Sequence, residues 1–237
     1  MNNQTLLIKL KQRLNKLASN DFDNIECWQF VEAFNKGQVA WCRRNLHGEN
    51  ATREGDEQST SRIDDLQNLI VTSPGLTMTD DGYFSYSSTT EWPKDYLRYK
   101  RVILNAMNEC CEEPKRMTVY PVEEGNVDLY LDDPNIRPDF MWGETFATFT
   151  GNRLNVYHNK KFTIDLCKLM YYRQPRKIQV ANCMDPYSGT RPTVDIECEF
   201  PDDLTELLID EAAGILAGDI ENFNQVQRLN NNVDKNN

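Results

Sequence analysis

Histidine occurs at only two positions in the 237 residues, His47 and His158. His47 stands beside Gly48 at a helix end and His158 at a hairpin end. Both places suit a solvated or structural imidazole better than a general base. The seven cysteines are an odd number without a C-x-x-C pair. Cys110-Cys111 is the one unusual arrangement, and on a strand adjacent side chains face opposite ways, so the two would not readily share a metal. A zinc site needs four placed ligands, and no Cys/His spacing supplies them. Structural thiols in a reducing, intracellular setting are the expectation. Carboxylates pair at Glu123-Glu124, Asp132-Asp133 and Asp202-Asp203. Each pair falls in a loop or helix start, where acids solvate and cap more often than they hydrolyse glycosides or phosphodiesters. No Gly-rich phosphate loop is present. We expect no enzyme, no catalytic residues, no cofactor and no metal.

The elements that carry these residues fall into three stretches. Leu6, Leu7, Leu10, Leu14 and Leu17 recur at helical spacing and predict an amphipathic helix over about 3–18. Asp23 and Glu26 resemble a capping box, opening a second helix whose Cys27, Trp28, Val31, Phe34, Gln38 and Trp41 form one face. A polar loop spans 46–61, and Ile63, Leu66 and Ile70 support a short third helix.

Beyond Ser73-Pro74-Gly75 strands predominate. Leu76 to Ser85 reads as a hairpin turning at Asp81-Gly82; the apolar run Arg101 to Cys111 fits a buried strand or a helix, of which strand is preferred, and Met117 to Val122 is another strand candidate. Thr145–Thr150 and Leu154–His158 pair across Gly151-Asn152, and Phe162, Ile164 and Leu166 alternate with Thr163 and Asp165. Pro201 with Asp202, Asp203 and Glu206 opens a helix with an apolar stripe of Leu204, Leu207, Leu208, Ala212, Ile215 and Leu216. Gly218 is its expected stop, and Asp219 caps a last helix offering Ile220, Phe223 and Val226. Gly214-x-x-x-Gly218 matches a membrane dimer pattern, but that helix is too acidic to span a bilayer. The expected fold is α+β: N-terminal helices over 1–73, a central antiparallel β-domain over 74–200, and two C-terminal helices with a polar tail over 201–237.

Charge is distributed unevenly. The net charge of −11 argues against nonspecific DNA or anionic-membrane binding, since phosphate neutralisation needs clustered Lys and Arg. No apolar run is long enough for a signal peptide or membrane span. Arg153 to Lys177 holds seven Lys and Arg against one acid, Asp165, whereas Pro192 to Gln227 holds ten acids and no Lys or Arg. The two blocks either pair or lie apart within one subunit, or meet between copies in a heterologous contact that can close a ring.

Several motifs resemble, in their order, a known group of proteins. They are Trp92-Pro93-Lys94-Asp95-Tyr96-Leu97, Asp133-Pro134-Asn135-Ile136-Arg137-Pro138 and Leu154-Asn155-Val156-Tyr157. Tyr171-Tyr172-Arg173-Gln174-Pro175-Arg176-Lys177-Ile178 follows, then Cys198-Glu199-Phe200-Pro201-Asp202-Asp203-Leu204 and Gly218-Asp219-Ile220-Glu221-Asn222. Over roughly 84–230 this order resembles virion structural proteins of crAss-like and related Bacteroidetes-infecting tailed phages, in particular the head-to-tail adaptor or ring proteins beneath the portal. The resemblance implies helices combined with a β-domain and a ring, usually dodecameric, between portal and tail. It implies DNA passing through the lumen without specific binding, and no catalytic residues. The chain would be made in the host cytoplasm and end in the virion connector, with itself, the portal and neighbouring ring or tail proteins as partners.

The contact surfaces expected on this reading are Tyr171, Tyr172, Arg173, Arg176 and Lys177; Asp202, Asp203, Glu206, Asp210 and Glu211; and Ile220, Phe223 and Val226. Charge reversal at Arg173, Arg176 and Lys177 is expected to weaken closure. Two rivals stand beside it. One is an acidic DNA mimic that inhibits a host nuclease, disfavoured by the basic block. The other is a cysteine-dependent hydrolase built on Cys110, Cys111 and His158.

Overall fold

A computed structural model describes residues 1–15, 25–47, 66–108 and 111–219. The chain forms two compact units, residues 69–174 and residues 1–68 with 175–237. Two parts of the sequence distant from each other thus build the helical unit, and one continuous stretch builds the β-rich one.

In the helical unit, α1 (Asn3–Asn15) and α2 (Cys27–His47) both pack on α4 (Asp202–Asp219). Leu6, Leu10 and Leu14 of α1 are completely or almost completely buried, as their four-residue spacing predicts. On α2 the buried residues are Phe30, Ala33, Phe34, Gln38, Trp41 and Cys42, while Trp28 and Val31 are only half-buried. The face is therefore rotated from the expected one, because the lining is set by what α4 presents. Leu204, Leu208, Ile209, Ala212, Ala213, Leu216 and Ala217 of α4 are buried. Alanines at the crossing let the helices approach closely. A Cβ on Gly37 of α2 would stand 3.4 Å from the Ala212 backbone nitrogen, so glycine fits where bulk would separate the pair. Gly218 does not end α4, which continues through Asp219. The second C-terminal helix expected from Ile220, Phe223 and Val226 lies outside the described residues, as does most of the 46–61 loop.

The β-rich unit holds one curled sheet in the order β1-β8-β4-β5-β6-β7-β3-β2. Its strands are β1 (Ile70–Thr72), β2 (Met78–Asp80), β3 (Phe84–Ser87), β4 (Tyr96–Asn108), β5 (Cys111–Pro121), β6 (Glu144–Thr150), β7 (Arg153–Tyr157) and β8 (Thr163–Arg173). Ile70, expected in a third helix, belongs instead to β1, where it pairs with Tyr172. The sheet is also not purely antiparallel. β5 runs antiparallel to β4 as far as Met117 and then parallel to β6 from Thr118. The connection between those parallel strands contains a 3-10 turn (Glu124–Asn126) and α3 (Val127–Asp132).

Local turn chemistry fixes the hairpins. Gly151 and Asn152 have φ of 56° and 60°, the left-handed pair of a tight β6–β7 turn. The strand reading of Arg101 onward holds, with Val102, Leu104 and Ala106 of β4 buried in alternation. On β8 the alternation changes phase. Leu166 pairs with Asn105 but Ile164 pairs with Ala106, which leaves Asp165 as the extra residue of a bulge. The inward residues are accordingly Ile164, then Cys167, Leu169 and Tyr171, while Leu166 is turned from that cluster.

Candidate interaction surfaces

The acidic helix is engaged within its own unit. Arg13 Nε lies 2.9 Å from Asp210 Oδ1, and Glu206 takes Lys9 and, at 3.5 Å, Arg13. Arg44 donates to both oxygens of Glu211 at 2.7 and 3.2 Å, a bidentate geometry. The Met1 amine donates to Asp202 at 2.6 Å, and that carboxylate raises the amine's pKa. Asp203 is exposed. The cations that meet Glu206, Asp210 and Glu211 thus come from the N-terminal helices, whereas Asp195, Glu197 and Asp203 of the acidic block are exposed. Asp210 is only 8% exposed, so its pairing matters more than a surface ion pair would.

The basic segment divides in two. Tyr171 and Tyr172 are buried in the β-rich unit at 4% and 9% exposure. The Tyr171 hydroxyl donates to Asp95 at 2.9 Å, and burial together with that carboxylate pushes its pKa up to about 12. Arg173 ends β8 half-exposed. Arg176 and Lys177 are exposed, with Arg176 Nε 3.9 Å from Glu199. The expected contact residues are therefore divided: Tyr171 and Tyr172 are core and Arg173 ends a strand of the β-rich unit, while Arg176 and Lys177 are exposed residues of the helical unit. Ile220, Phe223 and Val226 lie outside the described residues.

His158 is 3% exposed. Its Nε2 meets Ser85 Oγ at 3.2 Å and Asp80 Oδ1 at 3.3 Å, while Nδ1 accepts the Lys160 N–H at 3.3 Å. Serine, histidine and aspartate are together, but both oxygens address the same nitrogen. A nucleophile's base needs its orienting carboxylate on the opposite ring nitrogen, so this cluster ties β2 and β3 to the β7–β8 turn.

Cys42, Cys167 and Cys198 are buried, and burial pushes the Cys42 and Cys167 thiols up to about 12. Such thiols stay protonated at neutral pH and are poor nucleophiles. The expectation of free, reduced thiols is corrected at one pair, because Cys27 and Cys183 form a disulfide across 156 residues of sequence. Cys110 and the side chain of Cys111 lie outside the description. Among the described residues no group of three His, Cys, Asp or Glu could hold a metal, and no helix is long and apolar enough to cross a membrane.

Two surfaces that the sequence did not single out are more distinctive. The first is a groove of about 550 Å³ in the helical unit, between α2 and the 177–192 segment. Its apolar lining includes Trp28, Val31, Val39, Met184 and Tyr187, with Lys36 and Lys177 also on its wall. The Cys27–Cys183 bridge and an edge-on Trp28–Tyr187 contact at 6.1 Å hold that segment beside α2. Asp185 accepts from the Ser188 hydroxyl and the Tyr187 N–H, which together lower its pKa and fix the local turn.

The second is the turn before β6 in the β-rich unit. Met141 is 76% and Trp142 72% exposed, although both neighbouring elements of chain are well tied. Asp139 Oδ1 accepts the N–H groups of Met141 and Trp142 at 2.8 and 3.2 Å. Lys115 Nζ donates to the carbonyls of Phe140 and Met141, and Gly143 supplies the φ of 74° that closes the turn. Partial burial opposes ionisation of Asp139, but the two N–H donors and Lys161 hold its pKa below the ordinary carboxylate value. A rigid backbone therefore presents two large apolar side chains to water. Burying both against a partner would be worth about 3–5 kcal/mol, at roughly 25 cal/mol per Å². The signal in sequence was Phe140-Met141-Trp142-Gly143, three bulky residues in a loop where polar ones are usual.

No family model matches the chain, and no curated protein matches it.

Proposed function

We propose that this protein is a virion structural subunit, forming an oligomeric ring in the head-to-tail connector of a tailed phage. The ring bridges portal and tail and encloses the DNA channel. The ordered motifs from Trp92 to Asn222 support the phage assignment by their resemblance to adaptor proteins. The observation that carries the assembly role is the Met141–Trp142 turn. Apolar side chains are held rigid and exposed there by hydrogen bonds that do nothing for their burial. Ring contacts of this kind do their work by shape, with the load shared among identical copies, and no covalent step is involved. The net negative charge suits a lumen along which DNA slides.

The acidic DNA-mimic reading is weakened by the pairing of Glu206, Asp210 and Glu211 with Lys9, Arg13 and Arg44, since a mimic must display its carboxylates. The hydrolase reading is weakened at His158, whose Nε2 faces both Ser85 and Asp80; Cys110 and the Cys111 side chain lie outside the described residues.

Native mass spectrometry of the purified chain, alone and with the portal protein of its own phage, tests the proposal. We expect one closed oligomeric mass, or its appearance on adding portal. A monomer that ignores portal and instead captures a nuclease would overturn it.

A further inference from the structure

We propose that the Cys27–Cys183 disulfide is an exchangeable latch: small thiols open it in the folded chain, and opening frees the 183–191 loop from α2. The proposal stands apart from the ring reading.

The loop is built to move as one piece. At its neck Gln179 and Ile196 exchange backbone hydrogen bonds at 3.1 and 2.9 Å, and the Asn182 N–H donates to the Pro192 carbonyl at 2.9 Å. Beyond the neck the loop closes on itself. The Asp185 N–H donates to the Thr190 carbonyl at 3.0 Å, the Gly189 N–H to the Asp185 carbonyl at 2.9 Å, and Gly189 takes a φ of 65°. None of these bonds involves α2. Besides the disulfide, two ring and hydrogen-bond ties join the loop to α2 among the described residues. They are the edge-on Trp28–Tyr187 contact at 6.1 Å and the Tyr187 hydroxyl on Glu32 at 3.5 Å. Both run through Tyr187, which is 78% exposed, and Met184 is 49% exposed. The covalent bond is therefore the main restraint, because the loop buries little apolar surface of its own.

The same bond is placed for exchange. Cys27 is half-exposed, and Cys183, though 8% exposed, is on the wall of the groove of about 550 Å³, which admits a small thiol. Cys27 is the first residue of α2, and the Glu26 N–H before it donates to the Gln29 side chain at 2.9 Å. A thiolate leaving from Cys27 faces the positive end of a 21-residue helix, which favours its departure. Glu26 opposes this with its own charge, but its carboxylate is engaged by the Trp28 indole N–H at 2.6 Å. The other described thiols of this unit do not compete. Cys42 and Cys198 are buried, and burial raises the pKa of each.

In the opening step a glutathione thiolate attacks Cys183 Sγ, the S–S bond breaks and Cys27 departs as a thiolate. A second glutathione thiolate attacks the glutathione sulfur of the mixed disulfide, releasing glutathione disulfide and the Cys183 thiolate. Both protein thiolates then take protons from solvent. The protein gains two electrons and the two glutathiones lose them; closing is the reverse, with glutathione disulfide as oxidant. In a reducing cytoplasm the loop is free, and an oxidising surrounding fastens it.

The test equilibrates the full chain under native conditions in glutathione buffers graded from oxidised to reduced, followed by alkylation and peptide mapping. Chymotrypsin cleavage after Tyr187 is timed at each point. We expect Cys27 and Cys183 to be labelled together as the buffer turns reducing, with Cys42, Cys167 and Cys198 unlabelled and circular dichroism unchanged. Cleavage after Tyr187 should accelerate at least about tenfold over the same range. A folded C27S/C183S variant should be cleaved at the fast rate in every buffer; the wild-type titration decides alone where that variant does not fold. Labelling only in denaturant would make the bond a permanent staple and overturn the latch. So would labelling without faster cleavage, slow cleavage of the folded variant, or thiols that glutathione disulfide never joins. The oligomeric mass enters none of these outcomes, so the latch and the ring reading fail separately.

Discussion

Helix α4 and the Met141–Trp142 turn invert what composition suggests of each. The helix carries six acids in eighteen residues, yet Glu206, Asp210 and Glu211 meet Lys9, Arg13 and Arg44, and Leu204, Leu208, Leu216 and its alanines are buried. The turn lies in an ordinary loop, yet Asp139 and Lys115 fasten its backbone while two apolar side chains stay in water. Charge in a sequence marks a surface only when its partners are elsewhere. Exposure backed by rigidity is the better guide to where another molecule attaches.

The comparison breaks most readily at its packed end. Leu208→Ala should destabilise by about 2–5 kcal/mol in urea denaturation, because it opens a cavity at a position with no exposure. Trp142→Ser should change stability by less than about 0.5 kcal/mol in the same assay, as exposed substitutions do. Equal losses would mean that the turn is part of the folded core.

A double-mutant cycle on Arg13→Ala and Asp210→Ala sharpens the electrostatic half. A coupling of about 1–3 kcal/mol is expected because Asp210 is nearly buried, reduced somewhat by the partial exposure of Arg13. Zero coupling would return those charges to the surface.

Asp139→Asn should cost only about 0.5–1 kcal/mol, discounted because its side chain is 35% exposed. Its pH dependence has a fixed sign. A carboxylate whose folded pKa is lowered contributes fully above its unfolded value, and the contribution is lost as pH falls through the folded value. The variant's stability should therefore differ from wild type at neutral pH and converge with it in acid. A gap that persists below both values would assign the loss to packing.

What the sequence made legible follows the range of the interactions involved. Gly151-Asn152 dictates its own left-handed backbone, so the β6–β7 hairpin was readable from two residues. The four-residue spacing of Leu6, Leu10 and Leu14 similarly marks one helical face. The bulge at Asp165, the parallel pairing of Thr118 with Glu144, and the Cys27–Cys183 bond depend on partners far along the chain, and local pattern does not encode them. The same limit applied to the contact surfaces. Tyr171 and Arg176 are close in sequence, but one lines a core and the other a rim.

The central claim is that association runs through the apolar turn. Sedimentation velocity on M141S/W142S beside wild type, with circular dichroism confirming both folds, tests it most directly. The account predicts a wild-type oligomer and a variant that sediments as a monomer at the same concentration. A variant that assembles as wild type does would contradict it.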